Sequence, residues 1–377
     1  MQPMNKKSTT EACPVSEERL KNEFKRRETR QIAVGNVLIG GGAPVAVQSM
    51  TKTDTRDVAE TVAQIRRLED AGCEIVRCAV PDGESAAALK DIKASIAIPL
   101  IADIHFDYRL ALASIEQGVD GLRINPGNIG SRKKVREVVA AAKERSVPIR
   151  IGVNSGSLEK EVLRIYDGEA SAEAMVESAL RHVRMLEELN FDLIKIALKA
   201  SDVRRTLEAY RLMAEKVDYP FHAGITEAGS ILPGTVKSSV GMALLLREGL
   251  VDTLRVSLTA PPEEEVRIAY LILSSLEIRS RGLNFISCPI CGRCEVDLMP
   301  IASRIERELM HLKKNITVAV MGCMVNGPGE AKEADIGLAC GRGVGVVFKK
   351  GKLHRRLKEE AIESEFIAEV LALCEEM

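Results

Sequence analysis

The sequence predicts an α/β protein in which a (β/α)8 TIM-type barrel is followed by a smaller α/β domain. Apolar runs suited to buried strands alternate with amphipathic helical runs through eight units, beginning near Val45, Glu74, Ile98, Gly121, Pro148, Leu193, Pro220 and Thr253. Eight units in about 250 residues is the size of a closed barrel, whose parallel strands are covered on both faces and so read as continuous apolar stretches. Beyond Arg281 the composition changes to cysteines, glycines and basic residues. An open, doubly wound sheet is the structural alternative for the first part.

In chain order, residues 1–30 form a polar arm without the apolar core of a secretory signal. Residues 31–39 hold two short apolar runs around Gly35-Asn36, a pair suited to a two-residue turn, so a hairpin lid is expected ahead of the main fold. Val58, Val62, Ile65 and Leu68 recur at helical spacing, with Gly72 just past the end. The last barrel helix is expected over 262–277, with Pro262 in its first turn and Glu263, Glu264 and Glu265 at its positive end. The barrel domain is thus placed at 31–280 and the second domain at 281–377. In the latter, Gly341-Arg342-Gly343-Val344-Gly345 reads as a tight turn ahead of a strand, and Ile362, Phe366, Val370 and Leu373 mark a final amphipathic helix.

A net charge of −1, 3% aromatic residues and no Trp argue against a nucleic-acid surface, which needs a basic stripe and stacking rings. No run approaches the roughly 18 apolar residues of a membrane span. Nine cysteines without regular disulfide spacing point to the cytoplasm.

In a barrel of this type the chemistry sits at the carboxyl ends of the strands. The residues that close the apolar runs are Gln48 to Thr51, Arg77, Asp103 and His105, Arg123 and Asn125, Arg150 and Asn154, Lys195 and Lys199, Thr226 and Glu227, and Arg255 with Ser257. That many cations are costly to bury unless an anion neutralises them, and guanidinium forks match phosphate oxygens two at a time. A phosphate ester with two or more charges is the expected ligand. The competing reading pairs some of these cations with acids such as Asp103 and Glu227 as scaffold. His105 reads as a hydrogen-bonded scaffold residue. Glu227, a carboxylate among cations, is the candidate to move a proton.

Cys288, Cys291 and Cys294, with Cys323 further on, offer four thiolates on glycine- and proline-rich turns, the donor type and number that an iron–sulfur cluster takes. The second domain is therefore read as an iron–sulfur domain. Zinc competes, although Cys323 lacks the close sulfur or imidazole partner of a zinc knuckle. Glu330, seven residues after Cys323, could supply a weakly held oxygen ligand, or could simply be a first-turn helix acid. The residues alone leave open a zinc-stabilised barrel lyase or hydrolase acting on a phosphorylated substrate, and a non-catalytic electron carrier.

Nine ordered motifs between Gly35 and Phe348 resemble the 4-hydroxy-3-methylbut-2-enyl diphosphate synthase family. They are Val47-Gln-Ser-Met-Thr51, Ala102-Asp-Ile-His-Phe106, Leu122-Arg-Ile-Asn-Pro-Gly-Asn128, Gly152-Val-Asn-Ser-Gly156, Lys199-Ala-Ser-Asp202, Thr226-Glu-Ala-Gly229, Arg255-Val-Ser257, Cys288-Pro-Ile-Cys-Gly-Arg293 and Gly322-Cys-Met-Val-Asn-Gly-Pro-Gly-Glu330. The resemblance implies reductive ring opening of 2-C-methyl-D-erythritol 2,4-cyclodiphosphate, with two electrons supplied by reduced flavodoxin or ferredoxin. It implies a [4Fe-4S] cluster on Cys288, Cys291, Cys323 and Glu330. It implies that Arg77, Arg123, Asn125, Arg150, Asn154, Lys199, Arg255 and Ser257 clamp the diphosphate, that Glu227 is the acid, and that Asn326 lies near the cluster. It further implies a homodimer in which the cluster domain of one subunit closes on the barrel of the other. Cys294 departs from the family pattern and is expected to be a nearby free thiol.

Overall fold

The computed structural model describes residues 25–125 and 127–377; the first 24 residues of the expected polar arm lie outside the described residues. By their contacts the residues form two units, one of the chain up to Arg66 with Cys73–Glu265, the other of Arg67–Gly72 with Val266–Met377.

The first unit begins with β1 (Ile32–Val34) and β2 (Val37–Ile39), an antiparallel pair with Ile32 opposite Ile39. Gly35 turns between them at φ 56°, as the Gly35-Asn36 pair suggested. Then come β3 (Ala46–Met50), β4 (Ile75–Ala79), β5 (Leu100–Asp103), β6 (Gly121–Ile124), β7 (Ile149–Asn154) and β8 (Ile194–Lys199), each parallel to its neighbour. The short strands β9 (His222–Ala223) and β10 (Thr253–Leu254) pair with each other, and β10 pairs with β3. A single parallel bridge between Ile196 and Phe221 joins the remaining edges, so the eight strands form a barrel, not an open sheet.

Helices α1 (Val58–Ala71), α2 (Gly83–Ala94), α3 (Tyr108–Glu116), α4 (Arg132–Glu144), α5 (Lys160–Ile165), α6 (Ala172–Glu187), α7 (Val203–Ala214), α8 (Ile231–Arg247) and α9 (Pro262–Ser275) connect or follow the strands. Several start on side-chain caps: Asp82 accepts the Ser85 N–H, Asp202 that of Arg205, and Ser171 that of Ala174. Such caps satisfy amides at the loop ends nearest the barrel mouth.

The hairpin is a lid, but on the end away from the polar strand ends. Ile32, Val34 and Ile39 pack on Ala46, Ile75 and Ile101, near the strands' amino ends. A Cβ on Gly35 would stand 2.9 Å from Pro99 and 3.1 Å from Asp120, both before or between strands at that end. Residues 25–30 reinforce this closure. Arg26 pairs with Asp252, Arg27 donates to the carbonyls of Val217 and Tyr219, and its guanidinium lies 4.0 Å over the Phe221 ring.

In the second unit β11 (Leu283–Ser287), β12 (Ile316–Met321) and β13 (Ile336–Gly341) run parallel, and β14 (Val344–Lys349) and β15 (Lys352–Lys358) continue the sheet antiparallel. Helices α10 (Leu298–Leu309) and α12 (Ile362–Glu376) bury Ile305, Leu309, Phe366 and Val370 against Val318, Val320, Leu338 and Val347. The short α11 (Gly327–Glu333) follows β12. Gly343, at φ 71°, makes the tight turn between β13 and β14, so the glycine pattern there serves a hairpin. Among the described residues no helix is long and apolar enough to cross a membrane.

Candidate functional site

Register brings three of the barrel cations, Arg123, Arg150 and Lys195, into one row beside Asp103. Asp103 pairs with Arg123, Arg123 with Arg150 and Arg150 with Lys195 across adjacent parallel strands, and in-register residues of parallel strands face the same way. Arg77 Nε stands 3.4 Å from Asp103 Oδ2, and Arg123 Nη1 stands 3.3 Å from Asp103 Oδ1. Arg123 Nη2 also donates to the Gly152 carbonyl at 3.0 Å, while Asn125 Oδ1 accepts the Gly152 N–H at 3.0 Å. His105 lies 3.0 Å from Arg123 Nη1, beside the same carboxylate. On the far side Lys199 Nζ is 3.2 Å from His222 Nε2, whose Nδ1 is 2.8 Å from Thr253 Oγ1. Arg255 Nη2 is 3.4 Å from Glu265 Oε2.

Three buried carboxylates act on six cations, Arg77, Arg123, Arg150, Lys195, Lys199 and Arg255: Asp103 and Glu265 stand among them, and Asp252, paired with Arg26, reaches Lys195. The scaffold reading accounts for part of this set, since Asp103 and Glu265 do pair locally. It leaves a positive excess and open donors: Arg150 Nε and Nη2, Lys195 Nζ and Arg255 Nε are buried without a hydrogen-bond partner. The electrostatics follow. Burial works against the Asp103 charge, yet Arg77, His105 and Arg123 hold that carboxyl well below its usual range. Burial, then Arg77, Arg255 and Arg123, pull Lys199 well below the usual lysine range. Burial, with Arg77, lowers Lys195 to about 7. An anion entering the mouth would find open N–H groups and relieve mutual repulsion.

Asn154 ends β7 opposite Lys199, half-buried, and Ser257 is half-buried beyond β10. Glu227 is exposed after β9 in the left-handed region at φ 51°, without an ion pair to a described residue. A non-glycine residue held in this conformation is one whose backbone the surrounding turn dictates.

The cysteines of the second unit divide by what surrounds each sulfur. The Ile290 N–H points at Cys288 Sγ at 3.4 Å. The Arg293 amide and side chain pull Cys291 down, and the amides of Asn326, Val325 and Gly327 pull Cys323 down. The charges of Cys291, Cys323 and Cys288 all act on Arg293. Backbone N–H groups therefore point at three sulfurs, as they do at cluster ligands, and Cys291 and Cys323 are drawn towards the thiolate. Cys294 is different. Its thiol donates to the Val296 carbonyl at 3.2 Å and packs over Gly322, where a Cβ would lie 2.4 Å from the sulfur. Asn326 and Glu330 are exposed, and the Glu330 N–H caps onto the Asn326 carbonyl at 3.2 Å.

Among the described residues no three His, Cys, Asp or Glu converge on a point suited to one metal ion. Ligands of a cluster stand farther apart, because its irons and sulfides fill the space between them.

Sequence reasoning missed Glu265, His222, Glu159 and His182. By sequence Glu265 looks like a helix-start acid, yet it accepts the Leu258 N–H at 2.9 Å and meets Lys52 Nζ at 3.0 Å. His222 sits inside an apolar run, and nothing in that pattern marks it.

Two family models match the chain, the GcpE TIM-barrel domain over residues 29–270 and the GcpE protein C-terminal domain over residues 284–372. Curated relatives are named 4-hydroxy-3-methylbut-2-en-1-yl diphosphate synthase (flavodoxin). One from Geobacter sulfurreducens is 60% identical, covering 92% of this chain and 98% of the relative. One from Thermodesulfovibrio yellowstonii is 59% identical over 92% and 99%, and one from Clostridium perfringens 56% identical over 91% and 98%. Both domains and nearly the full length of each relative are thus accounted for, and the chain belongs to the GcpE family.

Proposed function

We propose that this chain is an oxidoreductase that opens 2-C-methyl-D-erythritol 2,4-cyclodiphosphate reductively to 4-hydroxy-3-methylbut-2-enyl diphosphate. The substrate takes two electrons and two protons and loses water. The observation that carries the reading is the surplus of buried cations with open N–H groups at the barrel mouth. A cyclic diphosphate is an anion of the required charge.

In this reading Arg77, Arg123, Arg150, Lys199 and Arg255 hold the diphosphate oxygens, and Asn125, Asn154 and Ser257 complete the clamp. Forked guanidiniums fix the two phosphates in orientation as well as position. Glu227, exposed at the end of β9, delivers a proton to the departing oxygen. Cys288, Cys291, Cys323 and Glu330 would hold a [4Fe-4S] cluster, with Asn326 beside it. Such a cluster supplies single electrons and, with one carboxylate ligand, an iron that a substrate oxygen can reach. The amides directed at the three sulfurs support this assignment. Cys294, a donor to Val296, is left out.

Reduced flavodoxin or ferredoxin would bring the electrons. A cytoplasmic setting suits these thiols, none of the described cysteines being in a disulfide. The homodimer is part of the proposal. The exposed row of Leu232, Val236, Val240 and Leu244 along α8 supports a subunit surface on the barrel.

The test is turnover of the cyclic diphosphate by anaerobically purified protein with a chemical reductant, beside its visible spectrum. A brown protein that forms the linear diphosphate is expected. Folded but colourless, iron-free protein would remove the cluster and favour a zinc-stabilised lyase or hydrolase. Glu227→Gln is expected to reduce kcat by about 100-fold or more, and undiminished turnover would take Glu227 out of the mechanism.

A further inference from the structure

The loops that follow β6 and β7 meet on the inner face of α6. Glu159, just past the 3-10 turn Ser155–Ser157, places Oε1 2.7 Å from His182 Nε2, and its Oε2 accepts from Ser178 Oγ at 2.7 Å. Ser178 and His182 are one helical turn apart and only 1% and 2% exposed. The β6 loop arrives at the same edge of the ring. A Cβ on Gly127 would lie 2.5 Å from His182 Nε2 and 3.5 Å from Glu159 Oε1, so the bare backbone of that residue rests on the pair. The first loop begins at Asn125, tied to the Gly152 N–H, and the second begins at Asn154.

If this pair served stability alone, apolar contacts would do as well, because desolvating an acid and an imidazole offsets much of their attraction. What apolar packing cannot supply is direction. A short charge-assisted hydrogen bond fixes a loop in one place; here it holds the β7 loop through Glu159, and the β6 loop packs its Gly127 backbone against the same imidazole. Both loops begin at residues assigned to the clamp.

We propose that Glu159 and His182 are positioning residues of the anion-binding mouth, pinning the β6 and β7 loops so that Asn125 and Asn154 are pre-set for the diphosphate. The proposal rests on the diphosphate reading and adds no new contact to the substrate. The pair acts by sparing the ligand the work of ordering two loops, which enters affinity directly.

The experiment measures KM and kcat for the cyclic diphosphate with a chemical reductant, and the Kd of inorganic pyrophosphate by calorimetry, on the full-length cluster-loaded protein. Glu159→Ala and His182→Leu are expected to raise KM and Kd about tenfold while kcat stays within about threefold. His182→Gln, whose amide can still donate to Glu159, recovers most of the affinity. Melting temperature is followed for every variant. Lower stability with unchanged KM and Kd overturns the proposal, and so does an equal loss of affinity in His182→Gln. Should His182→Leu fail to fold, the partly exposed Glu159→Ala decides. A parent protein that binds pyrophosphate without turning over the cyclic diphosphate defeats the substrate reading, and the Kd values of the variants still decide the positioning role. A parent that binds neither overturns both.

Discussion

Arg123 Nη2 donates to the carbonyl of Gly152 at 3.0 Å, and a Cβ on that glycine would stand 2.7 Å from Arg123 Nε. The guanidinium lies across a stretch of β7 that has to stay bare. Gly152→Ala is expected to push Arg123 from its slot and lower kcat/KM about a hundredfold, mainly through KM. Steady-state kinetics beside a melting curve shifted by only a few degrees would establish this.

Lys195 is fully buried with its Nζ unpartnered, and burial together with Arg77 brings it to about 7. The unfolded chain keeps that proton up to the ordinary lysine range, so between about 7 and 10.5 it binds more protons than the folded chain. Stability from this group therefore rises with pH across that window, and the full penalty applies below it. Lys195→Met is expected to be more stable than the parent by at least about 1 kcal/mol at pH 6. The gap should close towards pH 10, as read from urea unfolding of both proteins.

Glu159 behaves in the opposite sense. Burial opposes its charge, but hydrogen bonds from His182 and Ser178 lower the carboxyl from 4.5 to about 2. Its contribution is complete above the unfolded value and disappears as pH falls through the folded one. At neutral pH it is bounded at about 3 kcal/mol. Glu159→Gln should lose stability relative to the parent at pH 7, and the two should converge by about pH 2. Acid titration of the unfolding midpoint measures it.

Three thiols stand under amide donors and a fourth donates to a carbonyl. Serine at Cys288, Cys291 or Cys323 is expected to abolish the visible cluster band in anaerobic protein. Cys294→Ser should retain it, because that sulfur is engaged by Val296. Glu330→Ala should keep a weakened, oxygen-sensitive band, with iron and sulfide analysis as the check. Loss of the band in Cys294→Ser alone would reverse the ligand assignment.

The barrel was readable because its strands are largely apolar and isolated cations interrupt the pattern conspicuously; Lys199 closes β8 and Arg123 sits beside the end of β6, whereas Arg77 and Arg150 lie within β4 and β7 and not at the ends the sequence suggested. Arg77, Arg123, Arg150 and Lys199 stand out for that reason. Residues that act through tertiary contact were not readable. His222 and Glu265 back up Lys199 and Arg255 from positions that look like strand interior and helix start. Glu159 and His182 meet only because two loops fold onto α6. The hairpin was visible from Gly35-Asn36, but which end of the barrel it closes depends on Ala46, Ile75 and Ile101, which local pattern does not specify.

All eight barrel strands are joined by ladders in a row from β8 through β3 to β10 and β9, and the two ends of that row, β8 and β9, meet through the lone Ile196–Phe221 bridge. A hoop changes its circumference at its thinnest link. That link lies beside Lys199 and His222, while Arg123 and Arg150 stand on the firmly laddered side. The arginines thus hang on an unbroken run of backbone pairing, whereas at the seam a buried side-chain contact, Lys199 to His222, spans what the backbone leaves to one bridge.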